Sequence, residues 1–171
     1  DSQADKLARL HRLADYPSEA ATHVPCDFES EDFVVQLVKG GFDVGRPALF
    51  VWEGVTPYLS EGAVRATLHR IAVGAEPRSV VVFDHLRRKI VAGEVADPND
   101  ARSRDFVGEL GEPLRWGCDD VLPVLYQEGY RRVRTSSFDE VCLALTGSYV
   151  RERKFRFQSL AVASVARAEL P

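Results

Sequence analysis

The stretch Pro47–Ile71, PALFVWEGVTPYLSEGAVRATLHRI, decides the fold. Ala48 to Trp52 is a short continuous apolar run, the pattern of a parallel strand covered on both faces. Glu53 stands where the run ends, and Gly54 frees the backbone to turn. Ser60 can cap a following helix, with Glu61 in its first turn. Ala63, Val64, Thr67, Leu68 and Ile71 then recur at helical spacing. In open α/β sheets, ligands sit at the carboxyl ends of the strands. Glu53 is therefore a candidate for chemistry or cofactor binding, with a loop carboxylate facing water as the plainer reading.

The alternation continues on both sides of this stretch. Ser79 to His85, SVVVFDH, is the clearest strand. Four consecutive apolar residues in it predict cover on both faces. Upstream, Asp1–Ala14 reads as a helix. His23–Phe28, HVPCDF, reads as a short strand made irregular by Pro25. Ser30 is the expected N-cap of a helix carrying Phe33, Val34, Leu37 and Val38, stopped by Gly40 and Gly41. Helices alternating with apolar strands predict an α/β fold with a largely parallel sheet.

Leu86–Leu110 breaks the pattern: it is charged, contains Pro98 and has scattered apolar anchors. A helical insertion or lid over the carboxyl edge is expected, in a region 86–118 that closes with the loop GEPLRWG. Asp119 or Asp120 then starts a helix that Gly129 ends. Tyr130–Thr135 is a strand with an arginine-rich face. Ser137 and Glu140 have the spacing of a capping box. Phe157–Ala166 is a last apolar strand, and the two late strands suit an antiparallel edge.

The 171 residues suit one domain. A formal charge of -4 without concentrated basic residues predicts no nucleic-acid partner. No apolar run approaches membrane-spanning length, and no signal peptide opens the chain, so no membrane partner is expected. Cys26, Cys118 and Cys142 form neither a CxxC pair nor a disulfide framework, which favours a reducing, cytoplasmic location. His11, His23, His69 and His85 give no HExxH, so no metal site is expected. GxGxxG, a Walker loop and GxSxG do not occur.

What remains is a set of acidic residues at strand ends: Asp27, Glu53 and Asp84. Parallel strands would bring all three to one edge. A carboxylate there can accept from ribose hydroxyls or an exocyclic amine, or pair with a cationic group. Phe28, Trp52 and Tyr58 could wall such a ligand. His85 titrates in the range of a general base. Arg131, Arg132 and Arg134 suit either an anionic ligand or a solvated edge strand.

WEGVTPYLSEGAVRATLHRIA, with VPCDF, SVVVFDH and GEPLRWGCDDVLPVLYQEGYRRV in that order, resembles the leucine carboxyl methyltransferase-like family. Many bacterial S-adenosylmethionine-dependent O-methyltransferases belong to it. The resemblance implies a class I, Rossmann-like methyltransferase fold with a mostly parallel sheet and an antiparallel edge hairpin. HVPCDF would be its third strand, PALFVWEG its fourth and SVVVFDH its fifth. It also implies S-adenosylmethionine as cofactor and a small-molecule substrate. By position, Asp27 would bind the adenine amine and the Phe28 N–H would face the ring. Glu53 would lie beside the methionine part, and Asp1 near the ribose.

Tyr58, Leu86–Leu110 and the Trp116 region would face the substrate. Glu53, Tyr58 and His85 are the candidate catalytic residues. A carboxylate acceptor is already ionised and needs no strong base; a hydroxyl acceptor needs one, for which Glu53 and His85 are candidates. The family holds its cofactor with a glycine-rich loop after its first strand, and these residues contain none. With Asp1 first and no methionine, the chain is expected to be the carboxyl part of a single methyltransferase domain. A non-catalytic domain of the same fold, binding a partner or ligand, is the other expectation.

Overall fold

A computed structural model describes residues 2–13, 20–94, 98–109, 111, 113–148 and 157–166. The elements in order are α1 (Ser2–Leu10), α2 (Phe33–Lys39), β1 (Leu49–Trp52), α3 (Glu61–Gly74), β2 (Val80–Leu86), α4 (Arg88–Ala92), α5 (Pro98–Glu109), α6 (Leu122–Gln127), β3 (Arg132–Ser137), α7 (Phe138–Thr146) and β4 (Gln158–Ser164). A single 3-10 turn, Thr56–Tyr58, separates β1 from α3.

The four-stranded sheet has the order β1-β2-β4-β3. β1 and β2 pair in parallel, with Trp52 opposite Phe83. β4 runs antiparallel to both β2 and β3, pairing His85 with Ser159 and Ser137 with Ser159. The antiparallel edge expected from the late strands is therefore present, with the last strand inserted between β2 and β3.

One sheet face is packed. Phe50, Trp52, Val81, Phe83, Ala161 and Ala163 are buried there with Val64, Leu68 and Ile71 of α3 and Leu125 of α6. Burial of each large apolar side chain contributes about 1.5–3 kcal/mol. Tyr130 is buried against α3, and its hydroxyl donates to the Leu68 carbonyl at 2.9 Å. On β1 the expectation of two covered faces is corrected. Leu49 and Val51 are 62% and 66% exposed, because no described helix packs against them.

A second correction concerns His23–Phe28, which is irregular rather than a strand. Pro25 lacks an N–H, and no described strand lies alongside to complete a ladder. The segment instead passes close to the end of α2: a Cβ placed at Gly40 would lie 2.4 Å from Val24 Cγ2. The helix cap also moves. Asp32, not Ser30, caps α2 and accepts from the Val35 N–H at 3.1 Å. Ser30 is held in the preceding turn, where its hydroxyl donates to Asp27.

Among the described residues of 86–110, α4 and α5 are helical, and Ile90 of α4 is buried. Cys118 N–H donates to the Leu86 carbonyl at 2.7 Å, so the region closes where it began. The capping box of α7 is present as expected, Ser137 and Glu140 bonding each other's backbone. The helix predicted from Asp119 or Asp120 starts at Leu122, with Asp120 accepting from its N–H at 3.0 Å.

Candidate functional site

The carboxyl end of β1 is fixed by its neighbour strand. Asp84 is 1% exposed on β2. Its Oδ1 accepts from the Gly54 N–H at 2.8 Å and its Oδ2 from Gln158 Nε2 at 2.7 Å. Its backbone carbonyl accepts from the buried Thr56 hydroxyl at 2.6 Å. Gly54 has φ +69, a conformation that a side chain would strain. The loop after β1 is thus nailed to β2 by bonds on both sides of the turn. Asp84, expected as a third edge carboxylate, is consumed in this scaffold.

Glu53 sits exposed at the start of that loop. Asp27 reaches the same end of β1 through its neighbour Phe28. The Phe28 ring stacks on Trp52, with centroids 5.5 Å apart and planes at 28°. Phe28 also stacks on Phe33 at 5.2 Å, fixing the start of α2 to the same aromatic group. Asp27 is exposed and accepts from the Ser30 hydroxyl at 2.7 Å and the Glu29 N–H at 3.0 Å. The Ser30 hydroxyl first, then the Glu29 N–H, holds its carboxyl below the usual range. Asp27 is a charged acceptor, and each oxygen keeps a further lone pair. Trp52 contributes a buried indole N–H with no partner among the described residues.

Sequence reasoning missed Glu29. Its carboxylate accepts from the Ser60 N–H and hydroxyl, both at 2.7 Å, and from Arg115 Nη1 at 2.8 Å. The Ser60 N–H is the largest influence holding its carboxyl below the usual range. Glu29 thereby ties the Asp27 turn, the cap of α3 and the Trp116 loop together. The same loop donates Arg115 N–H and Trp116 N–H to the Pro57 carbonyl at 2.7 and 3.1 Å. No local signal could have marked Glu29, since its partners lie far along the chain. Beside it, Phe28, Glu29, Phe33, Ala63, Thr67 and Arg70 line a cavity of about 350 Å³.

Tyr58 is half-buried in the 3-10 turn under the Arg115–Trp116 loop. His85 lies on the packed face of the sheet, 4% exposed. Its ring continues a row of aromatic contacts from Trp52 through Phe83 to Trp116, each pair 6.3 to 6.4 Å apart. His85 Nδ1 lies 3.1 Å from the Cys118 carbonyl. Burial pushes its pKa down, more than the Cys118 carbonyl and nearby Asp84 raise it. Its Nε2 is buried without a partner among the described residues. Glu53, Tyr58, Asp27 and Phe28 therefore gather around the end of β1, while His85 faces the β4 side. Arg131 Nη1 donates to the Tyr126 and Tyr130 carbonyls, so that arginine of the basic cluster braces a turn. Asp1 lies outside the described residues.

The chain has an α/β fold with a mixed four-stranded sheet, β1 and β2 parallel and β4 antiparallel, and its structural likenesses are to class I methyltransferases. The family model described as leucine carboxyl methyltransferase matches residues 1–72, and the resemblance to that family is borne out. The chain is 38% identical over 107 residues to a protein of Mycobacteroides abscessus, covering 62% of this chain and 34% of the relative. It is 31% identical over 111 residues to one of Mycolicibacterium gilvum, covering 65% and 34%. Both carry the name "Putative S-adenosyl-L-methionine-dependent methyltransferase". The matched part spans about a third of the length of these relatives. A solved glycopeptide N-methyltransferase, MtfA, complexed with S-adenosyl-L-methionine, shares the fold. Its TM-score is 0.55 at 14% identity, covering 96% of this chain and 68% of that one.

Proposed function

We propose that this chain carries the carboxyl-edge residues of an S-adenosylmethionine-dependent O-methyltransferase acting on a small organic molecule. One observation carries the reading: the stack of Phe28 on Trp52 brings Asp27 and Glu53 to the same end of β1. The residues present fit the cofactor. Asp27 offers a charged acceptor to an exocyclic amine, Phe28 an apolar wall, and exposed Glu53 a partner for an ammonium group. The bound cofactor supplies an electrophilic methyl group on a sulfonium sulfur.

The remaining chemistry belongs to the chain. Methyl transfer needs an in-line approach, so the acceptor must be held against a rigid edge. Asp84 provides that rigidity by bonding Gly54 N–H and, through its carbonyl, the Thr56 hydroxyl. Tyr58 and the Trp116 loop border the acceptor side, and α4–α5 form a lid that excludes water. For a hydroxyl acceptor, Glu53 would take the proton, since His85 is buried away from this end of β1; a carboxylate acceptor needs no base.

Calorimetric titrations with adenosine and with S-adenosylhomocysteine separate the two carboxylates. Asp27→Asn should weaken both ligands by about tenfold, the loss of one charge-assisted hydrogen bond. Glu53→Gln should weaken S-adenosylhomocysteine alone, because adenosine lacks the ammonium group. Unchanged affinity for both ligands in both variants would overturn the assignment.

A further inference from the structure

The turn between Asp27 and α2 carries Asp27, Glu29, Glu31 and Asp32, and the structure uses these carboxylates differently. Asp32 caps α2 and pairs with Arg70 Nε at 3.0 Å. Glu31 folds the turn on itself, accepting from the Asp27 N–H at 2.7 Å and from Gln36 Nε2 at 2.8 Å. Glu29 reaches two distant segments. Ser60 lies 31 residues away and bonds both carboxylate oxygens, its N–H on Oε1 and its hydroxyl on Oε2. Arg115 lies 86 residues away, and its Nη1 shares Oε1 at 2.8 Å. At its other end Glu29 belongs to Asp27, because its backbone N–H donates to Asp27 Oδ1 at 3.0 Å.

A short path of hydrogen bonds therefore runs from the Asp27 carboxylate through Glu29 to the Arg115 guanidinium. The far end of the path is itself held. Arg115 and Trp116 both donate their backbone N–H to the Pro57 carbonyl, in the 3-10 turn that carries Tyr58. The Glu29 and Arg115 side chains are 34% and 48% exposed. An exposed ion pair contributes little to folding. What this one does is geometric: three donors from two segments converge on a single carboxylate and fix the Asp27 turn relative to the Trp116 loop.

We infer that Glu29 is a positioning residue that couples Asp27 to the Arg115–Trp116 loop, so that a ligand on Asp27 and an acceptor beside Trp116 bind cooperatively. The inference rests on the methyltransferase reading, in which Asp27 takes the adenine amine and the Trp116 loop borders the acceptor. A ligand on Asp27 holds that carboxylate still, and with it the Glu29 N–H and the direction in which the Glu29 side chain leaves the turn. Arg115 is then gripped in one place, and its loop opens less readily from Pro57. Such coupling is reciprocal, so an acceptor that steadies the loop also favours the ligand on Asp27.

The test joins calorimetric titration with adenosine to amide hydrogen exchange read by NMR. In the unaltered chain, adenosine should slow exchange at the Arg115 and Trp116 N–H groups. In Glu29→Ala, bound adenosine should leave both rates unchanged. Arg115→Gln alters an exposed side chain and keeps the fold testable without the first variant. It should weaken adenosine about two- to fivefold, and Arg115→Lys should restore most of the loss. In an Asp27→Asn background, Arg115→Gln should weaken adenosine no further, since the path passes through Asp27. A merely structural role would weaken it equally in both backgrounds. Three results overturn the inference and leave the cofactor reading intact: unchanged exchange at both amides with adenosine bound, full affinity in Arg115→Gln, or an added loss on top of Asp27→Asn. No adenosine binding by the unaltered chain overturns the cofactor reading, and the coupling with it.

Discussion

The backbone N–H of Gly54 donates to the buried carboxylate of Asp84 at 2.8 Å, joining the turn after β1 to the middle of the sheet. With the Thr56 hydroxyl on the Asp84 carbonyl, this contact sets where Glu53 and Tyr58 stand. Asp84→Ala leaves the Gly54 N–H and the Gln158 amide without their acceptor. An unsatisfied buried donor costs about 1–3 kcal/mol. Urea unfolding should show a loss of about 2–4 kcal/mol, and a loss below about 0.5 kcal/mol would remove Asp84 from the scaffold.

His85 predicts a pH dependence of stability. Burial lowers its folded pKa below the usual value of about 6.5, so the unfolded chain binds more protons as pH falls through that value. Stability should therefore decline below about pH 6.5, by at most about 1.4 kcal/mol per pH unit from this group. The decline ends once pH passes below the folded value. The lowered carboxyls of Asp27, Glu29, Glu76 and Glu140 act at lower pH, in the ordinary carboxylate range and below. His85→Gln should flatten the profile between pH 5 and 6.5, a window in which chemical denaturation reads the change directly. An unaltered slope in that variant would assign the dependence elsewhere.

Gly117 lies against α4. A Cβ there would be 2.7 Å from Val91 Cγ2, 3.0 Å from Arg88 Cα and 3.1 Å from the Arg87 carbonyl. Two of those atoms are backbone and cannot yield easily. Gly117→Ala should cost about 1–3 kcal/mol in thermal or urea unfolding, and a neutral change would show that the loop floats free of α4.

The capping box of α7 should be worth about 1 kcal/mol, so Ser137→Ala is expected to destabilise by about 0.5–2 kcal/mol. Ser137→Thr, which keeps the hydroxyl, should restore most of it. Equal losses in both variants would point to packing rather than capping.

If α4 and α5 close over the edge, their amides should gain protection from hydrogen exchange when S-adenosylhomocysteine and acceptor are both present. Unchanged protection across both helices would count against a lid.

Local signals in the sequence located α3, β2, α7 and β4, because each rests on a periodic apolar pattern or a cap within a few residues. Ser60 and the Ser137–Glu140 pair are both found where their spacing put them. HVPCDF failed as a strand because apolar residues with a terminal acid describe a strand only when another strand lies alongside. The cap of α2 lies two residues beyond the expected Ser30, at Asp32, because Ser and Asp are both good caps and spacing alone does not choose between them. What joins the site was not legible at all. Glu29 meets Ser60 and Arg115, Asp84 meets Gly54 and Gln158, and His85 meets Cys118 across long separations. Such pairings depend on how the sheet is assembled, which no window of sequence contains.

The most direct measurement is a calorimetric titration of this chain with S-adenosylhomocysteine. The account predicts saturable binding near one site per chain. A folded chain that releases no heat and shows no saturable binding would contradict the claim that Asp27, Phe28 and Glu53 form a cofactor edge.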